Sequence, residues 1–114
     1  MLKRLTREEN FESFLRVNHD KTILVKFFTE WCVPCKSLQE NIEKLLTELK
    51  QSPEQKNNLM VLEVDAEKFS QLAQNPQFNV RSVPALFLFR GGKIVKSERG
   101  NMNIQQLKEF LAVT

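Results

Sequence analysis

Residues 22–29, with the sequence TILVKFFT, form the segment that most constrains how this chain can fold. Its β-branched and aromatic side chains favour a β-strand, and apart from Lys26 the residues 23–28 are apolar at consecutive positions. A strand that is apolar on both faces is typical of a sheet covered on each side by helices. The sequence therefore predicts an α/β fold, in which Lys26 is a cation placed in an apolar strand.

The rest of the chain alternates between strand and helix patterns, with no repeats, low-complexity tracts or interdomain linkers. Short apolar runs bounded by turn residues predict further strands at 2–5, 59–65, 83–89 and 93–98. Helical spacing of apolar residues predicts helices at about 6–17, 35–50 and 66–74, and after Asn103. The order β-α-β-α-β-α-β-β-α predicts a mixed central sheet with helices on both faces. The length fits a single domain spanning residues 1–114.

Short signals refine these boundaries. Thr6 and Glu9 have the T-x-x-E spacing of a capping box, which predicts that the first helix begins there. Asn103 can cap the last helix, and two glycines after Arg90 are a hairpin signal. Residues 51–58, QSPEQKNN, are expected to form a loop.

The composition argues against several classes of protein. No apolar run approaches the roughly 18 residues of a membrane span, and residues 1–15 lack the continuous apolar region of a signal peptide. These features favour a reducing, cytoplasmic setting, where a Cys-x-x-Cys pair is usually catalytic or metal-binding. The net charge is +3, with a basic stretch from Arg90 to Arg99. No aromatic side chains interleave with those charges, so a solvated face is favoured over a nucleic-acid surface.

Both cysteines of the chain, Cys32 and Cys35, follow the central strand with two residues between them. Cys32 is predicted at the junction with the next helix and Cys35 in its first turn, where Pro34 costs little because an N–H there has no helical partner. Free N–H groups and the helix dipole stabilise a Cys32 thiolate. The pair can then alternate between dithiol and disulfide, with Cys32 attacking a substrate disulfide and Cys35 resolving the mixed disulfide.

Two other uses of the cysteines are disfavoured. A zinc site needs four ligands, and the chain offers two cysteines and His19, which falls in a predicted turn. No metal site is therefore predicted, unless one is shared across a dimer. A purely structural disulfide is disfavoured because so small a ring removes little entropy from the unfolded chain. A Cys-x-x-Cys that follows an apolar strand and opens a helix is a strong indication of redox chemistry.

These segments resemble those of the thioredoxin family. FFTEWCVPCKSL (27–38) is similar to the family's active-site segment, usually written WCGPCK, and RSVPALFLFRGGKIV (81–95) to its cis-proline, strand and hairpin. Gly100 and QQLKEFL match the family's C-terminal end. The resemblance covers nearly the whole chain and implies the thioredoxin fold and a thiol–disulfide oxidoreductase that reduces protein disulfides. It also implies a cytoplasmic monomer with no bound cofactor, which receives electrons from NADPH through thioredoxin reductase.

The resemblance also implies roles for residues around the cysteines. Cys32 would be the exposed nucleophile and Cys35 the buried resolving thiol. Trp31 would shield the rim of the active site, and Pro34 would shape the helix start and the redox poise. Packing alone is the alternative role for Trp31.

Three further residues are expected to contact the substrate. Pro84 would form a cis peptide that faces the cysteines, and Val83 would offer backbone hydrogen bonds to an extended substrate segment. Gly100 would permit close approach of that substrate. The alternatives are a trans Pro84 at the start of a strand and a Gly100 that only permits a turn.

Lys26 departs from the family pattern, which usually has a buried aspartate at this position. A lone buried ammonium would be costly, so Lys26 is expected to be paired, neutral or able to reach water. In one register Glu63 faces it as a charge-swapped partner; in the other Val61 does, and Lys26 is unpaired. An unpaired cation would make the cysteine couple more oxidising, a pair would roughly cancel that field, and a neutral Lys26 could act as a base for Cys35. The remaining alternative is a lysine that extends to the surface without a catalytic effect.

Two other departures lie close to the cysteines. Val33 replaces the usual glycine, stiffening the loop and adding an apolar contact beside Cys32. Phe28 replaces a frequent tryptophan, which we interpret as a packing change. If Lys26 and Val33 raise the reduction potential, a disulfide oxidase or isomerase is the alternative to the reductase. A second alternative is a redox-sensing adaptor module that binds partners without catalysis, against which the intact WCxPC motif argues.

Overall fold

The computed structural model describes residues 2–50 and 59–111. The predicted order of elements is confirmed within them. The strands are β1 (Leu2–Arg4), β2 (Thr22–Phe28), β3 (Leu59–Asp65), β4 (Ala85–Arg90) and β5 (Lys93–Arg99). The helices are α1 (Asn10–Val17), α2 (Val33–Lys50), α3 (Ser70–Ala73) and α4 (Ile104–Leu111). The loop predicted at 51–58 lies outside the described residues.

The strands form one mixed sheet in the order β1-β3-β2-β4-β5, with β2 at its centre. Strands β1, β3 and β2 are parallel, whereas β4 is antiparallel to β2 and β5 to β4. The apolar side chains of β2 alternate between two cores, as a strand covered on both faces requires. Val25 and Phe27 pack with residues of α1 and α3, and Leu24 packs with residues of α2 and α4.

The first core is built around Phe78, which lies in the connection between α3 and β4. Its ring centroid is 5.7 Å from that of Phe11, 5.1 Å from Phe27 and 5.0 Å from Phe87. Aromatic pairs at such distances contribute about 0.5–1.5 kcal/mol each beyond the burial of their surface. Phe78 therefore anchors the segment that leads into Pro84.

The first helix begins later than the capping-box pattern predicts. Leu5 is buried and its N–H donates to the carbonyl oxygen of Glu63, so the chain continues along β3 past the end of β1. Glu9 is the N-cap of α1 and makes no side-chain capping bond. Its carboxylate lies 3.1 Å from the guanidinium of Arg7 instead. The capping box of Thr6 and Glu9 was therefore a wrong prediction.

Two other helices also differ at their starts. Helix α2 begins at Val33, two residues before the predicted start, and α3 is confined to four residues. The short α3 follows from Asp65, whose carboxylate accepts the backbone N–H bonds of Glu67 and Lys68 and holds a turn where a helix was predicted.

The turns and the last helix follow the sequence signals closely. Gly91 and Gly92 have φ values of +58° and +79°, which glycine adopts without strain in a two-residue hairpin turn. At α4 the side chain of Asn103 accepts the N–H of Gln106 at 2.8 Å, and the side chain of Gln106 accepts the N–H of Asn103 at 2.9 Å. The Asn103 cap that the sequence predicts is thus confirmed, and the Gln106 side chain adds a reciprocal bond that was not predicted.

Replacing Asn103 with alanine removes this cap, and we expect the free energy of unfolding to fall by about 1 kcal/mol. Urea denaturation of the oxidised protein measures the change. Asn101→Ala is the matched control, since this nearby exposed asparagine caps no helix. Equal unfolding midpoints for the two variants would contradict the assigned role of the cap.

Candidate active site

The cysteine pair lies where the central strand passes into α2. Cys32 is the N-cap residue of this helix, because its carbonyl oxygen accepts the N–H of Lys36. The N–H of Cys35 points to the sulfur of Cys32, with an N to Sγ distance of 3.1 Å. The Cys32 sulfur thus occupies the position where a side-chain acceptor normally caps a helix. A thiolate at this position would receive that N–H and the favourable field of the helix dipole.

The two sulfur atoms are joined as a disulfide, with a distance of 5.2 Å between the Cα atoms of Cys32 and Cys35. Their surroundings differ. Cys35 is 3% exposed and packs inward from α2, whereas Cys32 is half-buried. Cys32 is therefore the more accessible of the two cysteines.

The segment that precedes β4 lies against the cysteines. The Val83–Pro84 peptide bond is cis, as the resemblance to thioredoxins implies. The carbonyl oxygen of Val83 is 3.6 Å from the sulfur of Cys32. The N–H of Gly100 donates to the carbonyl oxygen of Pro84 at 2.9 Å, which places the end of β5 beside the same segment.

Gly100 has a φ of +88°, a region that side-chain-bearing residues rarely adopt. A Cβ atom built on it would meet nothing within 4 Å, so the glycine is required by its backbone conformation and borders open space. Both uses expected from the sequence, the turn and the open approach, are compatible with this geometry.

We call the two exposed apolar side chains that flank Cys32 in the sequence the rim of the site. Trp31 is 82% exposed and Val33 is 70% exposed, on either side of Cys32 in the sequence. A large aromatic side chain that is left mostly exposed is more informative than a scattered surface valine. The alternative in which Trp31 serves packing alone does not fit this exposure.

Lys26 and Glu63 form the buried ion pair that the sequence suggested. The two residues are register partners on adjacent strands, with 3.0 Å between Lys26 Nζ and Glu63 Oε2. They are 2% and 4% exposed, respectively. Val61 pairs with Leu24 instead, so the alternative register does not occur. Lys26 does not extend to the surface.

Gln39 is a member of this cluster that the sequence reasoning missed. Its side-chain oxygen accepts a hydrogen bond from Lys26 Nζ, and its side-chain nitrogen donates to the carboxylate of Glu43 at 2.9 Å. The one available signal was periodicity. Gln39 follows Cys35 by four residues on α2, so it lies on the same face of the helix as that buried cysteine.

The thioredoxin family model matches residues 3–113. This chain belongs to the thioredoxin family. It is 34% identical to a thioredoxin of Buchnera aphidicola subsp. Schizaphis graminum over 91% of this chain and 88% of the relative. It is 31% identical to a thioredoxin of Haemophilus influenzae over 91% and 89% of the two chains. The structure of Fasciola hepatica thioredoxin superposes with a TM-score of 0.78 at 23% identity, covering 96% and 95% of the chains, which supports the fold.

Family membership and the joined cysteines make the protein a thiol–disulfide oxidoreductase. Among the described residues there is no group of three or more histidine, cysteine, aspartate or glutamate side chains that could hold a metal ion. None of the helices in this part of the chain is long and apolar enough to cross a membrane.

A cavity of about 660 Å³ lies at the other end of the sheet, away from the cysteines. Thr22 and Arg90 line it, at the start of β2 and the end of β4, whereas Cys32 follows the opposite end of β2. The reactive site of this thioredoxin-family protein is therefore a surface rim that is separate from this cavity.

Burial lowers the pKa of Lys26 below its ordinary value of 10.5. The negative charge and hydrogen bond of Glu63 oppose this effect, while the nearby positive charge of Arg4 adds to it. Between the lowered pKa and 10.5, the folded protein binds fewer protons at Lys26 than the unfolded chain does. Stability from this group is therefore greatest above pH 10.5 and is lost as the pH falls through the folded-state pKa.

We expect the free energy of unfolding of the oxidised wild-type protein to rise with pH across this window, relative to Lys26→Met/Glu63→Gln. The double variant removes both charges and leaves neither partner alone, and the other lysines titrate alike in both proteins. Urea denaturation at a series of alkaline pH values measures the difference. A difference that stays constant or falls with pH would contradict the lowered pKa.

Proposed function

We propose that this oxidoreductase works as a reductase of protein disulfides, with Cys32 as the nucleophile and Cys35 as the resolving thiol. The Cys32 thiolate attacks one sulfur of a substrate disulfide, and the other substrate sulfur leaves as a thiolate and takes up a proton. Cys35 then loses its proton and attacks the Cys32 sulfur, which releases the second substrate thiol. Two electrons pass to the substrate, and the enzyme is left as its disulfide.

The different exposure of the two cysteines carries this proposal. Cys32 is half-buried under an exposed rim and receives the N–H of Cys35, whereas Cys35 is 3% exposed. A substrate disulfide can therefore reach Cys32 first, and Cys35 is placed to attack only the bond that Cys32 has formed. Both electrons come from the two thiols, so this chemistry requires no bound cofactor.

The substrate would lie across the segment before β4. The backbone of Val83 is close to the reacting sulfur and would pair with an extended substrate strand. The cis Pro84 and the open space at Gly100 border this path, while Trp31 and Val33 supply apolar contact area. Pro34, in the first turn of α2, fixes the start of the helix that carries both cysteines.

The ion pair of Lys26 and Glu63 would keep the reduction potential of the Cys32–Cys35 couple in the range of a reductase. An uncompensated ammonium near the cysteines would stabilise thiolate and make the disulfide more oxidising. Glu63 lies 3.0 Å from that ammonium and cancels most of its field at longer range. The geometry thus supports the reductase over the oxidase or isomerase.

The oxidised protein must be returned to the dithiol by a two-electron donor. We propose that NADPH supplies these electrons through a thioredoxin reductase, and that the protein works in the cytoplasm as a single-domain monomer. Purified wild-type protein, NADPH and a bacterial thioredoxin reductase should together reduce insulin. NADPH consumption that fails to depend on added oxidoreductase would contradict this route of regeneration.

Replacing Cys35 with serine should trap substrates. The first attack then proceeds at Cys32, but the mixed disulfide has no resolving thiol and accumulates. Incubation with insulin followed by non-reducing mass spectrometry should show a covalent adduct at Cys32. Cys32→Ser is the matched control and should form no such adduct; equal trapping through Cys35 would contradict the assigned roles.

Replacing Trp31 with alanine should separate protein substrates from small disulfides. We expect kcat/KM for insulin to fall roughly tenfold, since exposed aromatic side chains commonly anchor protein partners. The rate with the small disulfide DTNB should change less than about twofold, because it does not span the rim. Val17→Ala, at another exposed apolar position, is the control. Equal losses with both substrates would show that Trp31 acts on Cys32 and not on substrate binding.

A further inference from the structure

The side-chain amide of Gln39 joins the buried ion pair to the helix that carries Cys35. Its oxygen accepts from Lys26 Nζ and its nitrogen donates to Glu43. A rotated amide would turn its N–H groups toward an ammonium and its oxygen toward a carboxylate. The charges of Lys26 and Glu43 therefore fix the orientation of Gln39.

Groups on either side of the ion pair orient its two charges across the sheet. Arg4 on β1 is the register partner of Glu63, and its Nε lies 3.7 Å from Glu63 Oε1, on the side away from Lys26. Gln39 holds the ammonium from the other side, beneath α2. The pair is thus oriented, with its anion drawn toward the sheet edge and its cation toward the helix.

Cys35 lies on the same face of α2 as Gln39, which bonds the cationic end of this arrangement. It precedes Gln39 by four residues on α2, and side chains at this spacing are neighbours, with Cβ atoms about 6 Å apart. Both side chains turn inward, since Cys35 is 3% exposed and Gln39 contacts a lysine that is 2% exposed. Gln39 therefore ties the ammonium of Lys26 to the face of α2 on which Cys35 lies, one helical turn earlier.

Glu63 cancels most of the field of Lys26 at longer range, but the cation is the charge of the pair that contacts α2, through Gln39. Leu86 is its register partner on β4 and carries no charge, and the ring of Phe28 is 5.7 Å from its nitrogen. The charged groups that face Lys26 are Glu63 on β3, Arg4 on β1 and Glu43 on α2. Of the groups bonded to Lys26 in the described chain, Gln39 is the one on the helix that carries Cys35.

We propose that Gln39 is a positioning residue for the resolving step, which holds the Lys26 ammonium beside Cys35 and so stabilises the thiolate that attacks the mixed disulfide. The inference rests on the proposed function, in which Cys35 loses its proton before it attacks. Gln39 donates and accepts no proton in the reaction and does not touch the substrate. It acts through the position of Lys26.

The test uses Gln39→Met, which keeps the length and helix propensity of the side chain and removes its acceptor oxygen. Reduced protein is mixed with one equivalent of DTNB in a stopped-flow instrument. The first thionitrobenzoate is released when Cys32 attacks, and the second when Cys35 resolves the mixed disulfide. The pH profile of the second release reports on the Cys35 thiolate, while the first release reports on Cys32.

We expect the midpoint of the second release to rise by about 0.5 pH unit or more in Gln39→Met, which slows that step roughly threefold below the midpoint. The first release should remain within about twofold of wild type. Gln105→Met is the matched control, because exposed Gln105 makes the same four-residue contact to Glu109 but touches no buried lysine. Gln39→Ala is the second variant and should shift the midpoint in the same direction.

A variant that lacks the ion pair distinguishes a role of Gln39 in positioning Lys26 from a role in packing alone. In Lys26→Met/Glu63→Gln, adding Gln39→Met should leave the midpoint of the second release unchanged. An unshifted midpoint in both single variants, or the same shift in the background without Lys26, would overturn the inference. A wild-type protein that gives a first release but no second would contradict the proposed function itself, and this inference with it.

Discussion

The buried contact between Lys26 and Glu63 is the interaction on which the rest of the structure depends. It lies between adjacent strands at the centre of the sheet, where β2 is covered by helices on both faces. Removing one partner of such a pair typically costs about 3–5 kcal/mol, because the other charge is left buried without compensation. The pair therefore links the stability of the central strands to the electrostatic environment of the cysteines, which follow directly at the end of β2.

Three parts of the chain meet at that end of β2 to form the active site: the start of α2, the segment before β4 and the end of β5. The helix start supplies the N–H that points to the Cys32 sulfur, and the cis peptide before β4 brings the Val83 carbonyl to the same atom. The Phe78 ring cluster anchors the segment that leads to this peptide, and Gly100 ties β5 to it through the Pro84 carbonyl. Contacts between residues distant in sequence thus position the Cys32–Cys35 disulfide.

Most of the fold could be predicted from the sequence because the signals that define its strands, turns and caps are local. The consecutive apolar residues of β2, the paired glycines and the Asn103 cap each act over a few residues, and all were predicted. The start of α1 was predicted wrongly because Leu5 follows β3, a contact that no local pattern encodes. Gln39 was missed for the same reason: periodicity shows which face of α2 it occupies, but not that this face meets Lys26 across the core. The partner of Lys26 could only be narrowed to two registers until strand pairing selected Glu63.

The reduction potential of the Cys32–Cys35 couple, measured by equilibration with glutathione buffers at neutral pH, tests the central claim most directly. If Glu63 compensates the charge of Lys26, the potential should be close to that typical of thioredoxins, roughly −270 mV. A potential of about −180 mV or higher, in the range of disulfide isomerases and oxidases, would contradict the account. It would mean that the ammonium acts on the cysteines uncompensated and that the protein does not work as a reductase.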